Sequence, residues 1–168
     1  MTSEGRIESI RTRLLNLSRR RGESFDFVLV RYGVERFLYR LSRSDQCDRF
    51  ILRGATLFQV WNRELHRPTR DLDLLGFGSE DAESMRRSML VVLRVECPED
   101  GLALDEESLL VEPIRDPMEY GGLRVKLRAL LGKVRILVQV DVGFGDAVTP
   151  GPESLDFPLL LPDMPGIV

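Results

Sequence analysis

Residues 123–142 read LRVKLRALLGKVRILVQVDV, and this stretch decides the fold. Leu123, Val125, Leu127 and Ala129 alternate with Arg124, Lys126 and Arg128. Val134, Ile136, Val138, Val140 and Val142 alternate with Arg135, Leu137, Gln139 and Asp141. Successive side chains leave a strand on opposite faces, so each run presents one apolar and one polar face. Gly132-Lys133 between the runs suits a two-residue hairpin turn. Such a turn pairs Leu131 with Val134 and fixes every later partner. Arg124 then stands directly opposite Asp141, and Lys126 opposite Gln139, with Cβ atoms roughly 5 Å apart. A cation therefore borders a strand carboxylate on the polar face of the hairpin.

Working outward, the chain alternates helices and strands. After Asp146 there are five prolines in 22 residues, which predicts an extended or irregular tail over 147–168. Upstream, Leu109 to Ile114 reads as a strand, with Pro113 arguing for a sheet edge. Asp100-Gly101 reads as a turn. Ser79, Glu80, Asp81 and Glu83 announce a helix with Met85, Met89, Val92 and Leu93 inward. Asp71 to Leu75 is an alternating strand closed by Gly76 and Gly78. Phe50, Ile51 and Leu52 form a strand ending at Gly54, followed by Leu57, Val60 and Trp61 at helical spacing. Two helices come first. One carries Ile7, Ile10, Leu14 and Leu17 on a single face and stops at Gly22 after Arg19, Arg20 and Arg21. The other is capped by Ser24 and turns Phe27, Val30, Val34, Phe37, Leu38 and Leu41 inward.

The chain has 168 residues, 43% hydrophobic and 30% charged, which fits one globular domain and excludes disorder. No apolar run approaches the roughly 18 residues needed to span a bilayer. Met1 to Arg21 lacks the apolar stretch of a signal peptide. Cys47 and Cys97 form neither a disulfide framework nor a zinc site and read as inert. The single histidine, His66, rules out a His-rich metal site. These features imply a cytoplasmic setting without membrane association. The net charge of −3 hides an asymmetry. Residues 1–70 hold 15 arginines and 8 acids, whereas residues 71–168 hold 9 basic residues and 19 acids. A basic front half suits an anionic partner such as RNA or a nucleotide, and equally a solvated helical face.

The chemistry concentrates on three acids. Asp71 and Asp73 are two apart in a strand, so both carboxylates point to one face while Leu72 and Leu74 anchor the other. Paired carboxylates need a cation, and hard oxygen donors suit Mg²⁺. Gly54 ends a strand and opens a helix, and a helix N-terminus with a nearby hydroxyl, Thr56, suits phosphate. Asp141 adds a third carboxylate. Three acids and a phosphate cradle amount to a metal-assisted phosphoryl-transfer site. Such transfer depends on positioning and charge neutralisation, so His66 reads as non-catalytic and Trp61 as packing.

Arg53-Gly54-Ala55-Thr56-Leu57, followed by Arg67-Pro68-Thr69-Arg70-Asp71-Leu72-Asp73-Leu74, resembles the signature of the AbiEii/AbiGii toxin family, within the DNA polymerase beta-like nucleotidyltransferases. Arg53 stands for the family's usual Lys, and Ala55 for its second Gly. Val140 to Asp146 is similar to the strand bearing that superfamily's third carboxylate. The resemblance covers roughly residues 49–146. It implies an α+β nucleotidyltransferase-like fold, a mixed sheet flanked by helices with two N-terminal helices. Residues 1–48 would be those helices, 49–146 the catalytic core and 147–168 the Pro-rich tail.

The resemblance also implies transfer of a nucleoside monophosphate from an NTP to RNA, tRNA included, or to protein. Asp71, Asp73 and Asp141 would hold Mg²⁺ or Mn²⁺, and Asp141 would help activate the acceptor. Gly54, Ala55 and Thr56 would cradle the β and γ phosphates. Arg67 and Thr69 would steady the loop or touch phosphate. The hairpin register, apart from the resemblance, gives Arg124 two readings: a cross-strand ion pair with Asp141, or a group that turns from Asp141 to phosphate when NTP arrives. The biological role implied is the toxin of a toxin–antitoxin or abortive-infection pair with a cognate antitoxin. Family members continue into a C-terminal helical region, and the chain stops at Val168 before one. The expected consequence is uncovered apolar surface, met by homodimerisation. The competing reading is a truncated, inactive nucleotide- or RNA-binding module.

Overall fold

The structure, a computed structural model, describes residues 1–54, 56–57, 71–115, 121–145 and 151–168. Among these, the helices are α1 (Ser3–Arg21), α2 (Phe25–Arg43) and α3 (Ala82–Leu93). The strands are β1 (Phe50–Arg53), β2 (Leu72–Gly76), β3 (Leu102–Pro113), β4 (Gly122–Leu131) and β5 (Val134–Phe144). The capping chemistry follows the residues. Thr2, Ser24 and Asp81 each accept a backbone N–H in the first turn of their helix, and Gly22 closes α1 in the left-handed region at φ 64°.

The sheet runs β1-β2-β5-β4-β3. Only β2 and β5 pair in parallel; the other neighbours are antiparallel. This is the expected α+β mixed sheet. The β4–β5 hairpin adopts the register of a two-residue turn, with Leu131 opposite Val134 and Arg124 opposite Asp141. Its alternation buries one face: Leu123, Val125, Leu127, Ala129, Ile136, Val138, Val140 and Val142 lie in the core beside Leu72 and Leu74 of β2. α2 packs closely on β5, because a Cβ at Gly33 would meet Ile136 Cγ2 at 2.9 Å and Val138 Cγ2 at 3.0 Å. β3 is an edge strand, as Pro113 suggests, but it begins at Leu102, well before Leu109. The acidic run that masks its start is absorbed by an irregularity between Asp105 and Leu110. There Ser108 Oγ accepts the Arg128 N–H at 2.8 Å and replaces a ladder bond.

α2 departs from its expected pattern. Its apolar face is buried as read, yet Arg31, Glu35, Arg36 and Arg40 are buried too. Arg31 pairs locally with Glu23, whereas Glu35, Arg36 and Arg40 also find partners far along the chain. Arg40 donates to both carboxylate oxygens of Asp100, at 2.7 and 3.3 Å. Asp100 stands in the expected turn before Gly101 and is fully buried, and its carbonyl accepts the Tyr32 hydroxyl at 2.8 Å. The segment after Pro150 is irregular, as its prolines dictate, but it is packed rather than loose. Leu160, Leu161, Met164 and Ile167 are buried, and the Phe157 N–H donates to the Ile167 carbonyl at 2.9 Å. Glu35 accepts the Leu160 N–H at 2.8 Å, and Arg36 donates to the Pro165 carbonyl at 3.1 Å. Burial pushes the Glu35 carboxyl above its ordinary range, opposed by the Arg36 guanidinium 2.9 Å away.

Two outcomes follow. Replacing Arg40 by Met strands the buried Asp100 carboxylate and should cost about 3–5 kcal/mol in urea unfolding. Burial, then the Asp100 carboxylate, pushes the Cys97 thiol up to about 11. Iodoacetamide at mildly alkaline pH should therefore modify the partly exposed Cys47 and spare Cys97 until urea is added. Equal labelling of both in the folded protein would contradict this packing.

Candidate active site

The strand registers assemble one row of charged residues across the sheet. Arg53 is opposite Asp73, Asp73 is beside Asp141, Asp141 is opposite Arg124, and Arg124 is opposite Glu112. Leu72, Leu74, Val140, Val142, Leu123 and Val125, which alternate with these residues, are buried, so the row lies on the other face of the sheet. Its signs run plus, minus, minus, plus, minus. The two central acids stand on adjacent parallel strands, about 5 Å apart at the backbone. Asp71 is exposed, one residue before β2 and two before Asp73.

Gly54 and Asp73, 19 residues apart in sequence, meet here. Gly54 adopts φ 72°, and a Cβ on it would lie 2.7 Å from Asp73 Oδ2 and 3.1 Å from Asp73 Cβ. The carboxylate thus rests on the glycine, and any side chain at 54 would meet it. The turn is closed by the Leu57 N–H donating to the Gly54 carbonyl at 3.1 Å, with Thr56 buried. On the other side of the acid pair, Arg124 Nε donates to Asp141 Oδ1 at 2.9 Å and Nη2 to Oδ2 at 3.0 Å. This two-pronged fork is the ion pair expected from the hairpin register. Ala55, Arg67 and Thr69, together with Trp61 and His66, lie outside the described residues.

Arg53 has a role that its sequence position did not reveal. Its guanidinium crosses β2 and lies on Gly143 of β5, where a Cβ would come within 2.9 Å of Arg53 Cζ. In the sequence Gly143 reads as a turn signal. A glycine inside a strand also marks close approach by another group, and that was the available clue.

Among the described residues, no three His, Cys, Asp or Glu side chains gather into a metal-binding group. A cleft of about 760 Å³ is lined by Leu38, Leu41, Phe50, Leu74, Leu155 and Phe157 among others. It lies by β1 and the C-terminal segment, and none of the row acids lines it. Among the described residues, no helix is long and apolar enough to cross a membrane.

A mixed sheet with a glycine turn against one of two in-register acids has the layout of a nucleotidyltransferase-like domain. A family model described as nucleotidyl transferase AbiEii toxin, type IV TA system, matches residues 36–168. The chain belongs to that family, whose members are nucleotidyltransferase toxins of type IV toxin–antitoxin systems. The match takes in the whole charged row and the segment clipped to α2. No curated protein matches the chain.

The Gly54–Asp73 contact can be measured. Gly22 and Gly54 both have positive φ, but a Cβ at Gly22 meets nothing within 4 Å. Gly22→Ala should cost about 1 kcal/mol and Gly54→Ala about 1–3 kcal/mol more, both in urea unfolding. Equal losses would show that Asp73 does not rest on Gly54.

Proposed function

We propose that this chain transfers a nucleoside monophosphate from an NTP to a hydroxyl of an RNA acceptor, tRNA in particular, releasing pyrophosphate. The observation that carries the reading is the in-register pair Asp73 and Asp141 beside the Gly54 turn. The donor set suits Mg²⁺ or Mn²⁺, because such ions bind through one or two carboxylates and complete their shells with phosphate and water. A closed cage of protein ligands is therefore not required. Asp71, Asp73 and Asp141 would hold the metal, which when bound neutralises the triphosphate and lowers the barrier to attack.

The chain's own groups supply the rest. Gly54, Ala55 and Thr56 bind the β and γ phosphates at the helix N-terminus. Arg67 and Thr69 steady that loop. Arg124 pairs with Asp141 until nucleotide arrives and then turns to phosphate, leaving Asp141 to accept the acceptor hydroxyl proton. The attacking oxygen forms a bond to the α phosphorus as the bond to the bridging oxygen breaks, and pyrophosphate carries away that electron pair. In the cell this makes the chain the toxin of a pair with a cognate antitoxin.

A second reading, a nucleotide- or RNA-binding module without turnover, draws on the Arg124 fork that engages both oxygens of Asp141. Incubation with each α-labelled NTP, Mg²⁺ and total RNA separates the two. Label should enter RNA with the wild type and vanish with Asp71→Asn/Asp73→Asn. Nucleotide binding without pyrophosphate release would favour the module. In thermal melts Mn²⁺ should raise the midpoint of the wild type and leave that double variant unmoved. Arg124→Ala should weaken NTP binding about tenfold, beyond any effect on stability.

A further inference from the structure

Arg53, opposite Asp73 at one end of the charged row, makes a second contact at Gly143. Arg53 is the last residue of β1 and immediately precedes the Gly54 turn. Its guanidinium reaches past β2 to Gly143 with Nη2 leading, and Cζ and Nη1 lie 2.9 and 3.3 Å from where a Cβ would stand. Gly143 is itself opposite Gly122 of β4, so two neighbouring strands carry no side chain at this level. Gly143 is buried although it lies on the charged side of the sheet, two residues beyond Asp141. A planar, weakly hydrated guanidinium can enter such a gap, which a compact ammonium group does less well. Arg53 and Arg124 thereby bracket the acid pair from the β1 and β4 sides.

We infer that Arg53 binds the polyphosphate of the incoming nucleotide, and that Gly143 is a positioning residue whose missing side chain provides the seat that aims Arg53. This rests on the nucleotidyl-transfer reading and deepens it. Arg53 is the cation joined directly to the phosphate-binding turn, and its seat lies beside Asp141. An anion bound at the turn and neutralised by metal on Asp73 and Asp141 thus comes within its reach. Gly143 carries no charge and makes no hydrogen bond from a side chain, and Arg53 is the side chain that a Cβ there would meet first.

The test is calorimetric binding of Mg²⁺ with inorganic tripolyphosphate, and of Mg²⁺ with each NTP, to the full chain. Arg53→Gln and Gly143→Ala should each weaken tripolyphosphate binding about tenfold, the scale of one lost charge-assisted hydrogen bond. The double variant should be no weaker than Arg53→Gln alone, since both changes remove the same contact. Mn²⁺ binding without polyphosphate should stay within about twofold of wild type, a readout that general damage to the site would move. Unchanged tripolyphosphate affinity in Arg53→Gln, or losses that multiply in the double variant, would overturn the inference. Should Gly143→Ala fail to fold, Arg53→Gln decides by itself. A wild type that transfers nucleotide while Arg53→Gln binds tripolyphosphate normally would sink this inference alone. A wild type that neither binds NTP nor transfers it would sink the functional reading and this inference with it.

Discussion

The parallel pairing of β2 with β5 is the constraint on which the rest of the site depends. It sets Asp73 beside Asp141, two like charges that water would keep apart. The fold holds them there because the alternate residues on both strands, Leu72, Leu74, Val140 and Val142, are locked into the core. Apolar burial on one face thus maintains electrostatic repulsion on the other. The antiparallel neighbours then supply compensation, since their registers bring Arg53 and Arg124 to the two sides of the pair. The same pairing requires a long crossover, and α3, β3 and β4 form it.

How much of this was legible in the sequence depended on distance along the chain. The hairpin was fully readable, because period-two alternation and a two-residue turn fix each partner without reference to anything else. The Arg124–Asp141 pair came with it. α1 and the apolar face of α2 followed from helical spacing in the same way. The charged residues of α2 did not, since an amphipathic reading assigns arginine and glutamate to water. Their partners, Asp100, Leu160 and Pro165, lie 60 to 129 residues away and carry no local signal. The turn at Asp100-Gly101 was legible, with Gly101 at φ 69°, but the burial of the Asp100 carboxylate against Arg40 was not, for the same reason. Gly54, Asp73, Asp141 and Arg124 were each singled out in the sequence, and the strand registers bring them together. The seat of Arg53 on Gly143 was not, for it exists only once β1, β2 and β5 lie side by side.

The acid row and the buried charges of α2 show two solutions to one physical problem. On the sheet, like charges stay partly exposed, where water and arginine moderate them. Around α2, opposite charges are fully enclosed, where each depends on a specific partner. The first arrangement leaves charge accessible to something that arrives from outside. The second spends charge on holding distant parts of the chain together.

The grip of α2 on the C-terminal segment also bears on the order of events during synthesis. Glu35 and Arg36 take hold of main-chain atoms at Leu160 and Pro165, which leave the ribosome more than 120 residues later. Until then both charges must stay in water, and α2 cannot settle fully into its final packing. The sheet, which needs nothing beyond Phe144, can form first. The contacts that close the fold over α2 are therefore the last to become available.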